Sequence, residues 1–335
     1  MDPLFGVNGL MFWTGREIRL RRQFEDHFDH TFEQILLETN PAWRMVQVEA
    51  PLLTPRNLLN VNYTDSDIWN QGLPVEDYEP EFLAWAKEKE NIEAVKDQLD
   101  PYYDDYEVGQ ETEYDALLDV CKRGNSVNQP VYEHAFRAWA RIFNKGELAL
   151  RPETTPGSYV YARHLLDTHS GVKPPFCVWQ VGKSFRREQD QVTKNMRLKE
   201  FYQQEFQCVY TADTMNDYHA VVLEPVRKMI GEMIGLPTRI VESDRLPSYS
   251  ETTMDVEAWI EELPEGFMPT FAEPNRVGNL SLGRWMEVCS ISRRTDFPGK
   301  ARFQTKKGVV EKDLLVLEVA IGLDRCVYCF QRKEV

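Results

Sequence analysis

Four short stretches of this chain carry residue types able to handle phosphate, carboxylate and ammonium groups. In Ser184-Phe185-Arg186-Arg187-Glu188 two arginines precede an acid directly after Gly182-Lys183, and beyond a polar loop Arg197-Leu198-Lys199-Glu200-Phe201 adds a second basic cluster. Up to residue 199, Lys183, Arg186, Arg187, Lys194, Arg197 and Lys199 stand against Glu188 and Asp190. The planar guanidinium fork suits phosphate and carboxylate oxygens, and guanidinium or phenyl faces can sandwich a purine. Composition alone favours a solvated charged hairpin. Arg151-Pro152-Glu153-Thr154 sets a cation and an anion two positions apart beside a turn, by itself a surface ion pair. In the third stretch, from Trp285 to Phe297, alternation places Glu287 on the face of Trp285 and Cys289. That predicts a buried carboxylate in need of a partner, for which a ligand ammonium would serve. The fourth, Leu317-Glu318 to Gly322-Leu323-Asp324-Arg325, reads as a strand running into a glycine and a helix. Asp324 suits a helix start, whereas Arg325 opposes the dipole there, which fits an anionic ligand or plain solvation.

These residues need a framework. Ile18, Leu20, Phe24, Phe28, Phe32 and Leu36, mostly four apart among charged neighbours, predict an amphipathic helix over Gly15 to Leu37. Trp43 to Leu53, bracketed by Pro41, Pro51 and Pro55, reads as a strand. Helix-like material over Glu81 to Leu99 and a tyrosine-rich turn at 101–106 follow, and residues 70–145 read as an acidic insertion or cap within one domain spanning 1–335. Beyond Pro175 the segments Phe176 to Val181, Leu198 to Val209, Trp285 to Ile291 and Leu314 to Ala320 read as extended, with helices at about 214–233 and after Gly322. Strands and helices without regular alternation favour an α+β antiparallel sheet flanked by helices over a doubly wound parallel one. No glycine-rich phosphate loop opens a helix after a strand, so a nucleotide would be held by side chains.

The chain has 335 residues, 42% hydrophobic, and a net charge of −15. Such a composition excludes disorder and low-complexity classes, and with no long apolar run it predicts a protein of the cytoplasm, neither membrane-inserted nor secreted. Glu76 to Asp119 holds sixteen acids against Lys87, Lys89 and Lys96, so nearly all the excess negative charge lies there. This disfavours a phosphate backbone globally and leaves the remaining chain nearly neutral. The six cysteines show no disulfide or zinc spacing, and Cys326 and Cys329 read as helical core positions. The six histidines form no metal site, and His27 with His30 read as one helix face.

In this order the segments resemble the catalytic core of class II aminoacyl-tRNA synthetases, most closely glycyl-tRNA synthetase. Residues 15–51 resemble motif 1, which in the family forms a homodimer interface. Phe185-Arg186-Arg187-Glu188 and the strand beginning Arg197 to Phe201 resemble motif 2, and Gly322-Leu323-Asp324-Arg325 resembles motif 3. Arg151 to Thr154, Tyr249 to Asp255, Trp285 to Glu287 and Arg294 to Asp296 also have counterparts. The resemblance implies a ligase that forms an aminoacyl-adenylate from ATP and a small amino acid and passes it to tRNA. It implies catalytic roles for Arg186 and Arg325, and ATP contacts from Arg186, Glu188, Arg197, Phe201 and Arg325. Glu153, Glu205, Glu287, Arg294 and Glu318 would line the amino-acid pocket, and Mg²⁺ would bridge phosphates with Glu311, or else Asp313 or Glu318, as its protein ligand. Two departures stand out. Glu318-Val319-Ala320 replaces the Glu-Pro-Ser of glycine enzymes, removing a pocket hydroxyl, and the sequence ends ten residues after Arg325, without the anticodon-binding domain usual in the subclass. With the acidic segment, these features keep open a non-tRNA acceptor or a silent accessory subunit.

Overall fold

The computed structural model describes residues 10–11, 13–59, 68–72, 75–99, 112–143, 145, 147–168, 172–187, 196–213, 217–244, 249–261, 276–277, 280–281 and 283–333. The chain divides into two compact units, the larger drawn from Met1–Leu52, Val61–Ile68 and Arg151–Val335, the smaller from Leu53–Asn60 and Trp69–Leu150.

In the larger unit a seven-stranded sheet is built from β1 (Met45–Gln47), β2 (Phe176–Phe185), β3 (Glu200–Thr211), β4 (Thr238–Glu242), β5 (Ser250–Glu261), β6 (Gly283–Arg294) and β7 (Leu314–Gly322). Their order is β1-β2-β3-β7-β6-β5-β4, and only β1 with β2 runs parallel. The fold is thus α+β with a mainly antiparallel sheet. Period-two alternation sorts the side chains. On β3, Phe206, Cys208 and Tyr210 face one side, where they join Leu317, Val319 and Ile321 of β7 and Cys289 and Ile291 of β6 in the main core. Gln203, Glu205 and Gln207 face the other.

Helix α1 (Gly15–Thr39) covers the apolar face. Its start is fixed by a capping box, in which Glu17 Oε2 accepts the Thr14 backbone N–H at 3.0 Å. Phe24, Phe28 and Phe32, one turn apart, bury on one stripe, and Phe32 meets Phe206 with ring centroids 4.5 Å apart. Helix α2 (Thr155–Thr168) packs on the opposite face of the sheet, Tyr159, Ala162 and Leu165 sharing a second core with Phe176, Val178, Val209 and Val316. Helix α3 (Tyr218–Ile234) is capped by the Asp217 side chain and ended by Gly235, whose φ of 72° lies in the left-handed region. Helix α4 (Leu323–Lys333) follows β7 directly and buries Cys326 and Cys329, as their spacing predicts, and all six cysteines are free thiols.

The smaller unit holds its own aromatic core, with Phe82 5.3 Å from Phe136 and 5.4 Å from Trp139 between ring centroids. The helix-like reading of Glu81 to Leu99 resolves into three pieces, Val75–Ala86, Lys89–Ala94 and Lys96–Leu99. The tyrosine-rich turn lies outside the described residues. The strand expected over Trp43 to Leu53 is shortened to Met45–Gln47, and Leu53–Pro55 pairs instead with Leu148–Leu150 in the smaller unit. Pro51 between the two pieces has no N–H for a continuous ladder.

Candidate active site

Above the polar face of the sheet lies a cavity of about 440 Å³ whose walls differ in charge. Arg186, Arg197 and Arg325 line it together with Phe201, and so do Glu205, Asp244, Asp255, Glu257 and Glu287. Arg186 follows β2 directly. Its backbone N–H bonds the Lys199 carbonyl at 2.9 Å, its Nε donates to the Pro152 carbonyl at 3.2 Å, and its guanidinium carbon stands 5.3 Å from the Phe201 ring centroid. The two strands of the basic hairpin therefore do converge, while Glu188, Asp190 and Lys194 lie outside the described residues.

Arg325 Nη1 reaches the Glu287 carbonyl at 3.0 Å and its carboxylate at 3.3 Å. The expectation that Glu287 is buried is overturned, since its side chain is 50% exposed. A register shift between Glu287 and Cys289 against β5 breaks the alternation on which that expectation rested. The partner it needs is supplied from within the chain, and the same contact gives Arg325 an anion at the helix start.

Below the cavity floor Glu153, Glu205, Glu318 and Arg294 form one buried network. Glu205 Oε2 accepts from the hydroxyls of Thr154 and Thr155, the second at 3.2 Å, and its Oε1 accepts from Gln203. Thr155 Oγ1 also stands 3.0 Å from Glu318 Oε2, so its one hydroxyl proton is shared between the two carboxylates, and Gln207 at 2.7 Å and Arg294 at 2.6 Å converge on Glu318. Arg294 clasps Asp296 at 3.0 and 2.8 Å and lies 3.8 Å over the Tyr249 ring. Burial first, then the charges of Glu318 and Glu153, push the Glu205 carboxyl up to about 8. Of this group the cavity reaches Glu205, whereas Glu153, Glu318 and Arg294 lie behind it.

Arg151, the cation of the second pattern, is 3% exposed and no surface ion pair. Its Nε donates to the Lys183 carbonyl at 2.9 Å and its Nη1 to the Ala50 carbonyl at 2.8 Å and to Gln180 Oε1 at 3.2 Å. A Cβ at Gly182 would stand 2.0 Å from Arg151 Nη2, on a guanidinium with nowhere to retreat. Gly182→Ala is therefore expected to cost about 1–3 kcal/mol in a urea titration; a variant as stable as the parent would overturn this account of the cradle.

Sequence reasoning missed Asp244, Glu257 and Ser290 as cavity residues and gave Asp255 and Asp324 no role there. Their signal was alternation: Asp255 with Glu257, Ser290 with Ser292, and Gln203, Glu205 and Gln207 put polar residues at every second place of otherwise buried strands. Burial, reinforced by Glu287, lifts the Asp255 carboxyl to about 6. Asp324 is 3% exposed; its Oδ2 accepts the Tyr202 N–H at 2.9 Å, while Oδ1 is buried with no partner among the described residues. Burial, opposed by that N–H, raises it to about 7. The folded state then holds a proton that the unfolded chain has released, so this group's contribution is full below about pH 4 and lost as pH rises through about 7. Asp324→Asn keeps an acceptor for Tyr202 and is expected to flatten that fall; identical pH–stability slopes in both proteins would refute it.

The residues suggested for Mg²⁺, Glu311 or else Asp313 or Glu318, each sit beside a cation of the chain. Glu311, on the hairpin of Ala301–Thr305 with Gly308–Lys312, pairs with Arg302 at 2.9 Å, Asp313 pairs with Lys300 at 2.9 Å, and Glu318 holds Arg294. Among the described residues no group of three or more His, Cys, Asp or Glu side chains is arranged to hold a metal.

A family model described as the tRNA synthetase class II core domain (G, H, P, S and T) matches residues 139–334, more than half of the chain. The chain belongs to the class II aminoacyl-tRNA synthetase core family. Among its relatives, the glycine–tRNA ligase of Borreliella burgdorferi (strain ZS7) is 31% identical over 234 residues, covering 62% of this chain and 46% of the relative. That of Borrelia hermsii is 30% identical over 194 residues, covering 55% and 40%. The synthetase core thus spans less than half the length of these curated relatives. Prolyl-tRNA synthetase from Cryptosporidium parvum, complexed with halofuginone and AMPPNP, superposes with a TM-score of 0.55 at 11% identity, covering 97% of this chain and 48% of that one. The same enzyme with L-proline and AMP gives 0.53. At that identity the likeness concerns the fold, and it extends over nearly all of the synthetase core.

Proposed function

We propose that the chain activates a small amino acid, glycine foremost, with ATP and transfers it to tRNA. The observation that carries this reading is the divided cavity, with three arginines and a phenyl ring for a nucleotide and a group of carboxylates for an ammonium. In the reaction an oxygen of the amino-acid carboxylate attacks the α-phosphorus. The bond from that phosphorus to the bridging oxygen breaks, and pyrophosphate leaves with the electron pair. Positioning and charge neutralisation dominate such chemistry. Arg186, fixed by the Pro152 carbonyl and placed over Phe201, supplies the cation nearest the adenine platform, and Arg197 and Arg325 serve the remaining phosphate oxygens. Glu188 completes the adenine contacts in this reading. Glu205, backed by Glu153, Glu318 and Arg294, receives the ammonium and releases its own raised proton as that cation arrives, and Glu287 holds Arg325 until phosphates compete for it. A divalent ion would enter with the phosphates as part of the substrate.

The relatives named as glycine–tRNA ligases support glycine and tRNA. The charge of Glu76 to Asp119 favours a second reading, in which activation is retained and the acceptor is not tRNA. We read the smaller unit as an insertion within the catalytic domain, helix α1 with β1 as a homodimer contact, and the cytoplasm as the place of action. No described helix is long and apolar enough to cross a membrane.

The test is amino-acid-dependent ATP/pyrophosphate exchange across the twenty standard amino acids. Exchange with one small amino acid supports activation, and charging of labelled tRNA then separates the two acceptors. Absence of exchange with all twenty would sink the activation of a standard amino acid.

A further inference from the structure

Strand register sets four residues side by side across the sheet: Glu205 on β3 opposes Ala320 on β7, Ala320 opposes Ser290 on β6, and Ser290 opposes Asp255 on β5. All four line the cavity. Neighbouring strands lie about 4.8 Å apart, so Ser290 stands about 5 Å from Asp255 and about 10 Å from Glu205. The polar groups of this row are not equally engaged. Glu205 takes three hydrogen bonds from Thr154, Thr155 and Gln203, and Asp255 takes one from Ser243. Among the described residues the Ser290 hydroxyl has no hydrogen-bond partner, although its strand is paired on both sides. Ala320 beside it offers only a methyl group.

The charge around this hydroxyl selects what it meets. Asp255 flanks it directly, with Glu287 three residues back on its own strand. An anion there would be repelled, whereas a cation with several N–H donors would be attracted and would find an acceptor lone pair in Ser290. We propose that Ser290 helps bind the amino acid by accepting a hydrogen bond from the substrate's ammonium group, on the part of the floor that Ala320 leaves without a polar atom. The inference rests on the activation reading for the identity of the ammonium. It makes the hydroxyl of β6 the counterpart of the carboxylates on β3 and β5. It also orients the amino acid with its carboxylate toward the arginines.

The test uses Ser290→Ala, Ala320→Ser and the double variant in the full chain. A hydrogen bond to a charged group makes the expected change roughly tenfold or more in the amino-acid KM for Ser290→Ala. The ATP KM should stay within about twofold of the parent's. The double variant, in which the hydroxyl moves one strand over, is expected to recover most of the loss. An unchanged amino-acid KM in Ser290→Ala, or equal rises in both KM values, overturns the proposal while leaving activation standing. Calorimetric titration of glycine, alanine and serine into the parent and Ser290→Ala decides the matter should the parent show no exchange. Weaker binding by the variant upholds the contact without activation. Equal binding, or binding by neither protein, refutes it.

Discussion

Replacing Arg186 with alanine is expected to lower amino-acid-dependent ATP/pyrophosphate exchange by at least about a hundredfold, the scale on which a preorganised group facing developing charge acts. The side chain is already oriented: the backbone N–H is tied to Lys199 at 2.9 Å, Nε to Pro152 at 3.2 Å, and the guanidinium lies 5.3 Å from the Phe201 ring centroid. A charge held this way needs little rearrangement when the α-phosphate gains charge. Arg186→Lys is expected to recover only a small part of the rate, because an ammonium is a point charge and cannot reproduce the planar contacts. The backbone tie to Lys199 survives both changes, so the circular dichroism spectrum should match the parent's. Exchange within about fivefold of the parent in Arg186→Ala would remove this residue from the reaction.

The second large effect concerns stability. Arg294 is 1% exposed and is the cation at the centre of Glu318, Asp296 and Glu153, at 2.6, 2.8 and 4.0 Å. Arg294→Met leaves buried carboxylates without their counter-charge and is expected to cost roughly 3–5 kcal/mol, since breaking one side of a buried pair strands the other. Adding Glu318→Met should return part of that loss, because the stranded charge is then gone as well. Urea unfolding of both variants checks this. A single variant less than about 1 kcal/mol below the parent, or a double variant worse than the single, would show that the network is not held by this cation.

Much of this arrangement was legible in the sequence, and the failures have physical reasons. The four extended segments after Pro175 became β2, β3, β6 and β7 because dense apolar runs with short polar interruptions leave a strand few alternatives. Arg186, Arg197, Phe201 and Arg325 converge on one cavity as their order suggested. Glu287 was misjudged because a bulge two positions wide resets the faces of a strand and leaves no mark in composition. The carboxylate network was legible only in part. Thr155 and Glu318 are 163 positions apart, Arg294 and Glu318 are 24 apart, and their partnership depends on sheet register rather than on local spacing. Arg151 read as a surface ion pair because two-residue spacing says nothing of the carbonyls of Ala50 and Lys183 that surround it.

The lateral row from Glu205 to Asp255 bears on how such a pocket changes over time. Each member is a single side chain on a different strand, and the backbone beneath is held by ladder bonds that are indifferent to side-chain identity. The row behind it, Gln207, Glu318, Ser292 and Thr253, carries the buried polar bonding. The two rows meet at Thr155, which bonds both Glu205 and Glu318, so the front row is free of the buried network only at Ala320, Ser290 and Asp255. A lineage can exchange one tile of the front row, as with alanine or serine at 320 and 290, and drift toward a new small substrate while the rear row keeps the domain standing.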